Sequence, residues 1–145
     1  MALLNNATGN DNSALGSEAL NANTTGTGNT AIGKQSLYLN TTANDNSAVG
    51  YNSLYSNTTG NQNAAFGSYA LASNTTGGNN TACGKSSLYS NTTGVSNTAI
   101  GTNSLYMNTV GYQNTSVGSN SLQSNQNGNF NSALGYGALL GNTTG

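Results

Sequence analysis

The chain has 145 residues, enough for one domain and short of two. Asn, Gly, Thr and Ser supply 86 of them, against two lysines, three acids and no His, Pro or Trp, for a net charge of −1. That balance excludes a basic footprint for nucleic acid or anionic lipid and removes the usual general base, and the lone Cys83 cannot build a zinc site or a disulfide framework.

No apolar run exceeds four residues (1–4 and 69–72), so no segment is long enough to span a bilayer. Composition alone therefore predicts neither an enzyme nor a cofactor. It leaves two plain readings, because Leu, Ile, Val and Phe total only 22 residues. One is a disordered polar tract, the other an aggregation-prone Asn/Ser segment. Order along the chain decides between them.

Asn12 opens the first complete unit, and its counterpart returns at Asn29, Asn46, Asn63, Asn80, Asn97, Asn114 and Asn131. Every step is 17 residues, without insertion or deletion. With that Asn as position 1, the unit reads N-[ST]-A-φ-G-x-x-[SA]-L-x-x-N-T-T-G-x-x, where φ is apolar. Position 4 is Leu15, Ile32, Val49, Phe66, Cys83, Ile100, Val117 and Leu134. Position 5 is Gly throughout: Gly16, Gly33, Gly50, Gly67, Gly84, Gly101, Gly118 and Gly135. Position 9 is Leu throughout: Leu20, Leu37, Leu54, Leu71, Leu88, Leu105, Leu122 and Leu139, with Leu3 upstream. Position 12 is Asn23, Asn40, Asn57, Asn74, Asn91, Asn108, Asn125 and Asn142, and position 15 is Gly except at Ala43.

A disordered tract would drift in length, and this one does not. A fixed short period without helical capping predicts an all-β, parallel β-solenoid (a β-roll) in one repeat domain over 1–145, about 8.5 coils of 17 residues. Gly at 5 and Asn-Thr-Thr-Gly at 12–15 leave two short runs per coil, which suit strands between tight turns. Gly at 5 and 15 is expected to supply positive φ at the corners. The absence of Pro fits a coil that donates to its neighbour all round.

Like residues then stack in columns. The Asn column at 12 predicts an amide ladder, with a polar binding strip as the alternative. Thr at 13 and 14 is expected to face water. Tyr38, Tyr55, Tyr89 and Tyr106 at position 10, with Tyr51 and Tyr136 at position 6, predict rings stacked on one another, or else a surface contact for a glycan or protein. Strand alternation would put positions 3 and 4, or 8 and 9, on opposite sides. If Ala and Ser line the interior, the position-4 aliphatics and the leucines point outward and need a second chain. With leucines inside and Ala outside, a monomer is allowed.

The run Asn-Ser-Ala-Val-Gly-Tyr-Asn-Ser at 46–53 resembles the head repeats of YadA-type trimeric autotransporter adhesins, which share an A-[IV]-G-x-x-[SA] core. The fuller N-T-A-I-G-x-x-S-L-Y-x-N-T-T-G pattern is similar to repeat tracts in tail-fibre-like surface proteins of bacteria and viruses. The resemblance covers the whole chain. It implies a left-handed parallel β-roll, a homotrimer, and use as a fibre shaft or adhesive head. The 17-residue period exceeds the YadA unit by the Asn-Thr-Thr-Gly stretch.

The expected function is thus a passive, self-assembling fibre or filament element, extracellular, at a cell surface or in a virion. Its expected partner is itself, as a trimer or an end-to-end filament, with a host-surface glycan or protein as a further candidate and no nucleic acid or membrane. Met1 at position 7 and Gly145 at position 15 are uncapped, which predicts a slice of a longer fibre or coils that join end to end.

The alternative is an ice-binding or glycan-binding solenoid. Ice-binding solenoids carry Thr-x-Thr on a strand face, whereas Thr24 and Thr25 are adjacent. Asp11 and Asp45 share position 17 two coils apart and read as solvated turn acids. Sequons occur at Asn6, Asn23, Asn40, Asn57, Asn74, Asn79, Asn91, Asn114 and Asn142, as by-products of the repeat.

Overall fold

Positions 2 to 4 of each unit, where β-branched residues often flank a small Ala or Ser and no Gly intervenes, form the only strands in the computed structural model, which describes residues 1–145. They are β1 (Ser13–Leu15), β2 (Thr30–Ile32), β3 (Ser47–Val49), β4 (Ala64–Phe66), β5 (Thr81–Cys83), β6 (Thr98–Ile100), β7 (Thr115–Val117) and β8 (Ser132–Leu134). The eight strands make one parallel sheet in sequence order. Each residue pairs with the one 17 positions on, as Ala48 does with Ala65. The fold is a parallel β-solenoid with no helix.

Gly at position 5 ends every strand. Its φ lies between 120° and 141°, outside the range of L-residues, and a Cβ at Gly67 would stand 2.6 Å from the Gly84 carbonyl oxygen. Each glycine in this column thereby requires the next. Position 15 is different from expectation. Its glycines do not take positive φ; they are small because a Cβ at Gly60 would stand 2.2 Å from the Gly77 oxygen and 2.6 Å from Asn57 Oδ1. Close approach, rather than handedness of the turn, selects Gly there.

The second run of each coil is not a strand. Positions 7 and 9 both take left-handed φ, near 60° at Tyr69 and 51° at Leu71, and the coils stack through turns. Of 89 backbone–backbone hydrogen bonds, only 14 lie within strands. Many of the others tie the turn of one coil to that of the next, as Leu71 N–H does to the Ser87 carbonyl at 3.0 Å.

This break in alternation turns positions 8 and 9 inward together. Leu20, Leu37, Leu54, Leu71, Leu88, Leu105 and Leu122 are fully buried beside position-3 alanines such as Ala65 and Ala82 and position-8 residues such as Ala70. Neither facing allowed by simple alternation is therefore correct. The magnitudes explain why. A leucine held left-handed costs about 1–2 kcal/mol, whereas burying its side chain returns about 1.5–3 kcal/mol. The strain is tolerated only because the side chain is in the core.

Candidate functional site

A second interior cluster is polar. In column 12, Nδ2 of each Asn donates to Oδ1 of the Asn one coil earlier, as Asn74 does to Asn57 and Asn91 to Asn74, both at 2.8 Å. Column 1 does the same: Asn80 donates to Asn63 Oδ1 from its backbone N–H at 3.1 Å and from Nδ2 at 3.2 Å. The two columns meet at the position-15 carbonyl. Gly77 O accepts Nδ2 of Asn63 and Nδ2 of Asn74, each at 2.9 Å. Both amide hydrogens and the amide oxygen of each mid-chain Asn in these two columns are used, so burial leaves none of them without a partner. Asn23 to Asn125 of column 12 are fully buried, which makes the column a structural ladder and removes it from the surface.

Column 1 was legible only as a register mark. Asn repeating at a turn has the same spacing whether it faces water or the core. The available signal was that it never varied while its neighbours at 16 and 17 did.

The threonines divide. Those at position 13 from Thr24 to Thr109 are half-buried and donate Oγ1 to the position-13 carbonyl of the next coil, as Thr75 does to Thr92 O at 3.0 Å. Those at position 14, Thr25 to Thr93, are exposed. Only one of the two columns faces water, since hydroxyl bonding draws the other against the coil.

Tyr136, expected in the stack, is 83% exposed and meets no other ring, but the remaining tyrosines pair. Tyr38 lies on Tyr55 and Tyr89 on Tyr106, with centroids 5.2 Å apart and planes within 10°. Tyr69 fills the break between these pairs, edge-on to Tyr51 and Tyr89. Hydrogen bonding with Tyr51, then burial and the neighbouring phenols, raises the Tyr69 pKa above the usual phenol value. The rings of each stacked pair cover one another, so these faces are not open platforms. Asp11 and Asp45 are both exposed, and no group of three potential metal-ligating side chains forms.

The outward strand face carries positions 2 and 4. Leu15 is 70%, Ile32 40%, Phe66 44%, Ile100 42% and Leu134 82% exposed; Cys83 is exposed, and Val49 and Val117 are half-buried. All eight are in register along the sheet. Seven steps of about 4.8 Å make this an apolar strip roughly 34 Å long. It runs the length of the sheet, with Ser or Thr hydroxyls at position 2 beside it in every unit but that of Ala64. No family model, curated protein or solved structure matches the chain.

Proposed function

We propose that the chain is a structural rod that associates with copies of itself through the position-4 strip. The observation that carries this reading is the strip itself. An in-register row of eight apolar side chains, free of charge, stays outside a coil whose interior is already filled by Leu, Ala and Asn. The largest apolar patch on a lone soluble chain is about 300–600 Å² and often functional, and a continuous uncharged strip of this kind is a natural contact surface. Cyclic association of identical chains is the common way to cover such a face.

In this reading the rod belongs outside the cell, at a cell surface or in a virion, as a fibre or filament shaft with an adhesive role open to its outer residues. Three left-handed coils side by side is the form that the YadA-like repeats suggest. Chemistry contributes nothing to such a role; length and register do.

Cys83 is exposed and lies near the middle of the strip, so it serves as the chain's own probe. Mild oxidation should convert the folded chain into covalent pairs at micromolar concentration, and Ile100→Asp, one coil away, should suppress them. A folded chain that gives no pairs would remove association through this face.

The hydroxyls at position 2 favour a second reading. Thr30, Thr81, Thr98 and Thr115 share the outward face with the aliphatics, an arrangement suited to ordered water or a glycan. Phe66 and Cys83 interrupt its regularity. A dispersed monomer that slows ice growth would favour this reading over the rod.

A further inference from the structure

The nine Asn-x-Ser/Thr sequons are equivalent in sequence and unlike in space. N-glycosylation uses one atom, Nδ2, which bonds to C1 of the sugar of a lipid-linked oligosaccharide diphosphate. The C1–O bond to the diphosphate breaks, the lipid diphosphate leaves, and Nδ2 gives up one proton. In Asn23, Asn40, Asn57, Asn74, Asn91 and Asn114 that atom is buried and donates both to an Asn one coil back and to a position-15 carbonyl. A sugar on it would remove one of the two donated hydrogens and has no path out of the coil. Asn6 and Asn142 lie in the outermost turns, half-buried, with Nδ2 bonded to Gly9 O and Gly145 O.

Asn79 stands apart. It occupies position 17, the turn before β5, with φ 60°, and is exposed. Its backbone N–H donates to Asn61 O at 3.1 Å, and its side chain makes no hydrogen bond. Left-handed φ is well tolerated by Asn, so neither packing nor backbone ties up its amide.

We propose that Asn79 is the one N-glycan acceptor inside the stacked coils, and that modification of the six buried sequons and folding of the coil exclude each other. The acceptor chemistry is general to the Asn-x-Ser/Thr motif. The selection among sites comes from the two amide ladders. A chain glycosylated before folding at column 12 cannot close its coil, whereas one glycosylated at Asn79 can.

The test routes the full chain through an N-glycosylating secretory pathway and measures site occupancy by mass spectrometry in folded and retained material. The exposed position-14 threonines allow sequons to be removed without touching the ladder. A variant with Thr25→Ala, Thr42→Ala, Thr59→Ala, Thr76→Ala, Thr93→Ala and Ser116→Ala keeps every ladder Asn, and Ala already occupies position 3 in the other seven units. Folded, secreted chain, native or variant, should carry a glycan at Asn79 and none at the six buried sites. Chains occupied at those sites should appear only in the retained, unfolded fraction. Thr81→Ala, which places the residue found at Ala64, should remove the glycan from folded material. A glycan on any of the six in cooperatively melting, secreted chain, or a variant secreted without one at Asn79, would overturn the proposal.

Discussion

Each coil contains two interiors. One is apolar, made of Leu at 9 and small residues at 3 and 8; the other is polar, made of Asn at 1 and 12 around the position-15 carbonyl. They fill the same coil by opposite rules. An apolar column tolerates variation in detail, since a leucine can slide against its neighbours at little cost. An amide ladder does not, because every donor must find its acceptor one coil away and a half-satisfied network is worse than none. The apolar interior supplies burial, and the polar interior fixes the 17-residue step. This division explains why a chain so poor in large apolar residues folds into an invariant register.

The sharpest way to break the comparison is Asn74→Asp. It deletes the donors to Asn57 Oδ1 and Gly77 O, so one buried carboxylate oxygen meets two acceptors while the other keeps only the Asn91 Nδ2 donor. The expected cost exceeds about 4 kcal/mol, enough for circular dichroism to show no cooperative melt. Leu71→Ala, in the adjoining apolar column, should cost about 2–4 kcal/mol and leave a cooperative transition at lower temperature. Leu71→Asn should fall between them, because Asn accepts the left-handed φ of 51° but brings an amide into an apolar column. A ladder variant milder than the leucine variant would reverse the assignment of the two interiors.

The two glycine columns refine it further. Gly67→Ala combines a disallowed φ of 141° with a backbone oxygen at 2.6 Å, so about 2–4 kcal/mol is expected. Gly60→Ala meets crowding without the φ penalty, and the natural Ala43 in the same column shows that one methyl can be accommodated. Its cost should be near 1–2 kcal/mol by thermal melting. Lys34→Ala and Thr102→Ala, both exposed at position 6, should change stability by less than about 0.5 kcal/mol.

Much of this was legible from the period alone. Parallel coils, the position-12 Asn ladder and the position-5 corner glycines follow from residues recurring every 17 positions. Three features were not. The second run of each coil is turn rather than strand because positions 7 and 9 are left-handed, and nothing in Tyr69 or Leu71 as residue types announces that conformation. Strand alternation was therefore the wrong rule at Ala70 and Leu71, which both face inward. The buried role of Asn63 and its column was hidden because turn asparagines and core asparagines repeat identically. At position 15, Gly signalled a turn when the reason was the carbonyl of the next coil. The outward row of Ile32, Phe66 and Ile100 was visible as a column, but its facing depended on the same conformational question.

If the interior is fully engaged in holding the coil, then function must be presented by the outer face, and the strip is its apolar part. Sedimentation velocity of the native chain beside Ile32→Asp/Ile100→Asp tests that most directly. Both side chains are about two-fifths exposed, so the substitutions spare the interior. The native chain should sediment as an oligomer at micromolar concentration, and the double variant as a folded monomer with an unchanged melt. A native chain that remains a dispersed monomer across the same concentrations would contradict the assembly.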